Sequence, residues 1–155
     1  MRVIILENVR SAYNVWNIIR TADALWRDVW LSWYTPSPLD NAKVVKTSLG
    51  AENNVNLKQF DNTLQAIQFA KKNKLFVLAA EITKDSIDLK KFKKKINKWV
   101  ALVLWNEVDG VSTEILKNVD QIVSIQMKGI KESLNVGQTA AIFMREIGKK
   151  ITEDK

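Results

Sequence analysis

Short apolar runs alternate along the chain with stretches in which apolar residues recur at helical spacing. Arg2–Glu7 (RVIILE) is a run of strand length with no helical stripe. Ser11–Leu25 follows, with Val15, Ile18, Ile19 and Ala22 on one helical face. Asp28–Leu31 reads as a second strand, and Pro36 and Pro38 turn Tyr34–Asn41 into a loop. Val55–Phe60 is a strand candidate. Asp61 is placed to cap a helix running to Lys72, with Leu64, Ile67 and Ala70 at core spacing. Leu75–Ala80 and Trp99–Leu104 (WVALVL) read as buried strands, separated by a polar, lysine-rich stretch over 83–98 read as loop with a helical turn. Ser112–Asn118 is a short helix, Gln121–Ile125 a strand, and Asn135–Lys150 a final amphipathic helix carrying Val136, Ala140, Phe143, Met144 and Ile147. Strands alternating with helices predict an α/β domain, a mostly parallel sheet flanked by helices, over residues 1–155.

Composition narrows the chemistry. The 155 residues contain neither cysteine nor histidine, which excludes disulfides, thiol nucleophiles, Cys/His zinc sites and histidine-based triads. No run approaches the roughly 18–20 apolar residues of a membrane span, and no signal-peptide pattern opens the chain. The expectation is a soluble cytoplasmic protein without a metal site. The net charge is +7, and the excess is uneven: seventeen basic against eleven acidic residues follow position 70. Lys90, Lys91, Lys93, Lys94 and Lys95 crowd the stretch Lys84–Lys98. That imbalance fits a polyanionic partner such as RNA, or a solvated lysine-rich face.

In parallel α/β sheets ligands bind beyond the carboxyl ends of the strands. Two polar loops fall there, Asn106–Gly110 and Lys128–Asn135. As patterns alone they read more readily as plain strand-to-helix turns.

Three longer segments carry a resemblance. Asn8–Asp23 (NVRSAYNVWNIIRTAD) holds Asn14 and Arg20 six residues apart. Leu104–Ser112 (LWNEVDGVS) presents an Asn-Glu pair, and Ile125–Val136 (IQMKGIKESLNV) ends in Ser-Leu-Asn-Val. In this order and separation they resemble the motifs of the SpoU (TrmH) group of SPOUT RNA methyltransferases, and Thr47–Glu52 is similar to a further family segment. The resemblance covers nearly the whole chain.

The resemblance implies a parallel sheet whose C-terminal part forms a deep trefoil knot. It implies S-adenosylmethionine as cofactor, a homodimer, and methyl transfer to a ribose 2′-hydroxyl of tRNA or rRNA. The cofactor would be held by backbone groups around Trp105, Ile125 and Leu134. Asn14 and Arg20 would meet the target nucleotide, and Glu107, Ser133 and Asn135 would order the loops around them. Family accounts make the arginine a base. A guanidinium stays protonated, so its physical role is to hold phosphate and stabilise developing negative charge. Ser133 and Asn135 also suit the N-cap of the last helix. A chain starting at the first strand, without an appended RNA-binding domain, would read RNA with its own dimer surface, which favours tRNA over rRNA.

One departure stands out. Trp16, Trp26, Trp33 and Trp105 occupy positions where the family typically has glycine. The chain holds six tryptophans and five glycines, whereas average usage predicts about eleven glycines alone. A gene that reads UGA as glycine, translated with a code that reads it as tryptophan, would produce this pattern. UGG codons at the four positions would exclude it. If the tryptophans are native, Trp105 is expected to crowd the cofactor, and the alternative is a non-catalytic RNA-binding relative with a blocked pocket. On the codon reading, indoles would sit strained where the backbone needs φ > 0.

Overall fold

The computed structural model describes residues 1–38, 53–93, 99–105, 108 and 110–151, leaving aside the side chain of Arg27. Glu107, Asn106, Asp109, the segment Thr47–Glu52, and Lys94, Lys95 and Lys98 lie outside the described residues.

Seven strands form one all-parallel sheet: β1 (Arg2–Glu7), β2 (Arg27–Ser32), β3 (Asn56–Phe60), β4 (Phe76–Ala80), β5 (Ile87–Asp88), β6 (Val100–Trp105) and β7 (Gln121–Ser124). Their order across the sheet is β3-β2-β1-β6-β4-β7-β5. β1 lies near the centre, with Leu6 opposite Leu31 on one side and Leu104 on the other. Val3 through Leu6 are fully buried because both faces of the sheet are covered, which explains a run with no alternation.

Four helices are described: α1 (Ala12–Leu25), α2 (Thr63–Lys72), α3 (Thr113–Asn118) and α4 (Val136–Gly148). Ile4 and Leu6 of β1 point into a core shared with α1 and α4, while Val3 and Ile5 point into the core beneath α2 and α3. Trp30 belongs to the second core, its ring 5.3 Å from Phe60 and 5.4 Å from Phe69. Each helix begins at a side-chain cap, with Ser11 Oγ accepting from Asn14 N and Ser112 Oγ from Ile115 N.

The sequence-predicted strands and helices are present with ends moved by a residue or two, and three differences bear on the site. The cap of α2 is Asn62, whose side chain accepts from Gln65 N, rather than Asp61. The sixth strand runs one residue further, so Trp105 ends β6 instead of opening a loop. The polar stretch after β4 contains the two-residue strand β5, an edge too short and polar to show in hydropathy. Among the described residues no helix is long and apolar enough to cross a membrane.

Candidate functional site

The carboxyl ends of β4, β6 and β7 open onto a cavity of about 1030 Å³. Glu81, directly after β4, ties this edge together. Its Oε2 accepts from Val111 N at 3.0 Å, and its Oε1 from Ile82 N at 2.7 Å. The first bond anchors the far end of the loop after β6. There Gly110 sits at φ +65°, and a Cβ would lie 3.1 Å from Glu81 Oε2.

A second brace fixes the turn after β4. Ser86 Oγ donates to Thr83 O at 2.8 Å and accepts from Thr83 N at 3.3 Å, while Ser124 Oγ on β7 lies 3.1 Å away. The cavity walls combine apolar Leu104, Val123, Val136 and Phe143 with polar Thr83, Ser86, Asp88 and Lys91. Three cofactor residues expected from the resemblance, Trp105, Ile125 and Leu134, line this one cavity, and Ser133 joins them.

Asn14 and Asn135, 121 residues apart, form a second cluster beside it. Asn135 Nδ2 donates to Asn14 Oδ1 at 3.1 Å, and Asn135 Oδ1 accepts from Gly137 N at 2.8 Å. Asn135 is therefore the cap of α4, and Ser133, exposed two residues earlier, does not cap it. Asn14 is buried at 7% exposure, an uncommon place for an amide unless it is bonded. Gly137 lies close to α1, where a Cβ would come within 2.8 Å of Asn17 Nδ2 and that side chain would have to shift. Leu134 and Val136, which flank Asn135 in the chain, both line the cavity.

Arg20 stands apart from both groups. It is exposed on α1, its guanidinium 5.6 Å from the centre of the Trp16 ring, and it is not part of the cavity wall. The indole gives the cation a flat face that restrains it without neutralising it.

The tryptophans do not behave as the strain reading expects. Among the described residues the only non-glycine positions with positive φ are Asn8 and Lys74. Trp26 closes α1 at φ −128°, is 5% exposed, and donates Nε1–H to Met144 O at 3.0 Å. Trp33 is 66% exposed. Trp105 packs against the core from the end of β6 and forms part of the wall of the cavity.

Sequence reasoning missed Glu81, Thr83 and Ser86. The available signal was their position, directly after a buried strand in a parallel sheet. It also missed Glu7, at the end of β1, where burial raises the carboxyl pKa to about 7 against the weaker opposing hydrogen bond from Thr63. Among the described residues no cluster of carboxylates could hold a metal ion.

Comparison with known proteins agrees with this layout. Residues 1–145 match the model of the SpoU rRNA methylase family. The chain is 30% identical over 150 residues to an uncharacterized tRNA/rRNA methyltransferase of Borreliella burgdorferi, covering 96% of this chain and 64% of that one. It is 30% identical over 144 residues to the tRNA (guanosine(18)-2′-O)-methyltransferase of Thermus thermophilus, covering 92% and 72%. A TrmH-family RNA methyltransferase structure from Porphyromonas gingivalis superposes with a TM-score of 0.82 at 28% identity, covering 94% of this chain and 58% of that one. The chain thus spans less than two thirds of the Borreliella and Porphyromonas proteins. With residues 1–145 matched by its model, the chain belongs to the SpoU rRNA methylase family.

Proposed function

We propose that the protein transfers a methyl group from S-adenosylmethionine to a ribose 2′-hydroxyl of RNA, with tRNA the first substrate to test. The observation that carries this reading is the single cavity lined by Trp105, Ile125, Ser133 and Leu134 and set beside the Asn14–Asn135 pair. The cavity fits the cofactor in kind. Its volume is at the upper end of the roughly 300–1,000 Å³ typical of small-molecule sites. Apolar walls suit a purine and thioether, and Ser86, Asp88 and Ser133 bring polar side chains to the same wall. S-adenosylmethionine supplies an electrophilic methyl group on a sulfonium.

The chain's own part is alignment and charge. Glu81 ties the turn after β4 to Val111, and Ser86 ties it to Ser124 on β7, which orders this part of the rim before binding. Trp105, Ile125 and Leu134 supply apolar surface to the cavity wall. Asn14, fixed by Asn135, is a rigid polar group positioned for the target ribose. Arg20, restrained by Trp16, holds an adjacent phosphate and favours the alkoxide character that develops as the 2′-hydroxyl loses its proton. Lys90 and Lys93, both exposed, would add phosphate contacts without sequence information, whereas Lys91 lines the cavity. The family's C-terminal knot and a homodimer with each site near the subunit boundary complete the proposal.

The test is transfer of labelled methyl from S-adenosylmethionine to unmodified tRNA and rRNA, followed by nucleoside analysis. The expected product is a 2′-O-methylated nucleoside in tRNA. Methylation on a base, or no transfer to either RNA, would overturn the reading.

A further inference from the structure

Three aromatic rings, Tyr13, Trp33 and Tyr34, are about two-thirds exposed, and all three follow β1 or β2 at the same end of the sheet. Short connections tie their segments together. Asn8 Oδ1 accepts from Tyr34 N at 3.4 Å, and Thr35 Oγ1 accepts from Val9 N at 3.2 Å. These bonds fasten the loop after β2 to the loop after β1. The Trp33 and Tyr34 rings lie 4.7 Å apart. Tyr13 lies 5.9 Å from Trp16, whose ring in turn carries the Arg20 guanidinium. Both aromatic pairs thus border residues 8–11, one pair from the end of β2 and the other from the first turns of α1.

Exposed rings at single positions are ordinary, but three bordering one loop, next to Asn14 and Arg20, form a patch. Its charge is one-sided. Residues 8–20 hold two arginines and no carboxylate, and residues 33–38 hold no charged side chain. Flat apolar faces with cations beside them and no competing anion fit nucleobases attached to phosphates. Only an unpaired base can offer its face, because in a duplex both faces are already stacked. We propose that Tyr34 with Trp33, and Tyr13, form a stacking surface for unpaired bases beside the target nucleotide, so that the protein selects looped RNA over duplex. This inference rests on the RNA 2′-hydroxyl reading above and adds the class of RNA and the side chains that choose it.

The experiment measures affinity by fluorescence anisotropy, over a range of salt, for labelled unmodified tRNA and for a fully paired RNA duplex with as many phosphates. The proteins are the wild type, Tyr34→Ala, Tyr34→Phe, Tyr13→Ala and Tyr13→Phe. The tyrosines carry the test because position 33 is one at which the family typically has glycine. The wild type should bind tRNA more tightly than the duplex. Each Ala variant should bind tRNA about 5- to 100-fold more weakly, the range of one lost base–aromatic stack. Duplex binding should stay within about twofold, and the salt slope should not change, because no phosphate contact is lost. Each Phe variant keeps the ring and should bind tRNA within about threefold of the wild type. An Ala variant that binds tRNA as tightly as the wild type, or loses duplex binding equally, would overturn the proposal. So would Ala variants that sediment at a different mass from the wild type, since the rings would then join two copies of this chain. A wild type that binds neither RNA would remove the proposed function itself, and the stacking surface with it.

Discussion

The carboxyl edge of the sheet ends in two different ways. Beyond β1 and β2 the polar side chains close on the backbone and on one another. Ser32 Oγ donates to Leu6 O at 3.0 Å and lies 2.7 Å from Thr63 Oγ1. Thr35 Oγ1 donates to the same carbonyl at 3.1 Å and accepts from Val9 N at 3.2 Å. Ser32 is 1% exposed and Thr63 is 5% exposed. Beyond β4, β6 and β7 the same residue types brace the rim of a cavity and leave one hydroxyl unmatched. Residue type alone does not separate the two ends. What separates them is whether the hydroxyls find partners within the fold: those of Ser32, Thr35 and Thr63 do, although Glu7 Oε2 at the same end does not, and that of Thr83 does not.

The largest effect is expected at a buried position that belongs to neither end. Trp26 fills the space between the end of α1 and α4, and its indole caps Met144 O. Trp26→Gly should lower stability by about 3–5 kcal/mol, the usual range for deleting a large buried aromatic. Trp33→Gly, at a side chain two-thirds exposed, should change stability by no more than about 0.5 kcal/mol. Urea denaturation of both variants checks this. A Trp26→Gly protein more stable than the wild type would instead mean that glycine is the native residue, as the UGA reading expects.

Next in size is Arg20→Ala, which tests whether the open end is completed from α1. Methyl transfer should fall about 100-fold or more, the usual scale for losing one charge-stabilising donor, while cofactor affinity stays within a few-fold. Steady-state kinetics beside calorimetry separate the two. Weakened cofactor binding with turnover intact would place Arg20 at the wrong ligand.

The architecture was legible in the sequence because buried parallel strands leave long apolar runs that turn residues cannot imitate. RVIILE and WVALVL became adjacent central strands. The Asp61 cap was misplaced by one residue because Asn62 beside it is as good a cap, and only backbone geometry chooses between them. The pocket-lining trio Trp105, Ile125 and Leu134 could be named from motif resemblance, since each lies in a motif segment. Thr83 and Glu7 could not. Their significance lies in hydrogen bonds made or missing, which depend on Ser86, Ser124 and Thr63 brought in from elsewhere.

Asn135 links the fold and the site, and two alanine variants sharpen its position. Asn135→Ala removes both the cap of α4 and the partner of buried Asn14, and should cost about 1–2 kcal/mol in thermal or urea unfolding. Ser133→Ala, one residue before Leu134 and outside the cap, should cost less than about 0.5 kcal/mol. Equal losses would show that the cap is shared. In a double-mutant cycle of Asn14→Ala with Asn135→Ala, non-additive losses would confirm that the pair acts as a unit.

The smallest effect tests the closed end through pH. Glu7 sits beside Thr63 at the end of β1, and burial raises its pKa from the usual 4.5 to about 7. The folded protein therefore holds a proton on Glu7 across an interval in which the unfolded chain has released it. Stability is unaffected below about pH 4.5, falls as pH rises through the interval, and levels off above pH 7. Residual exposure of the carboxyl limits the loss to roughly 1–2 kcal/mol. Glu7→Gln keeps the shape, cannot ionise, and should abolish this slope, leaving the variant more stable than the wild type at pH 8. Urea denaturation of both proteins at pH 5, 6, 7 and 8 measures the difference directly. If the two curves run parallel across that range, Glu7 ionises as easily when folded as when unfolded. The end of the sheet at β1 and β2 would then be open to water, and the contrast with the cavity end would be lost.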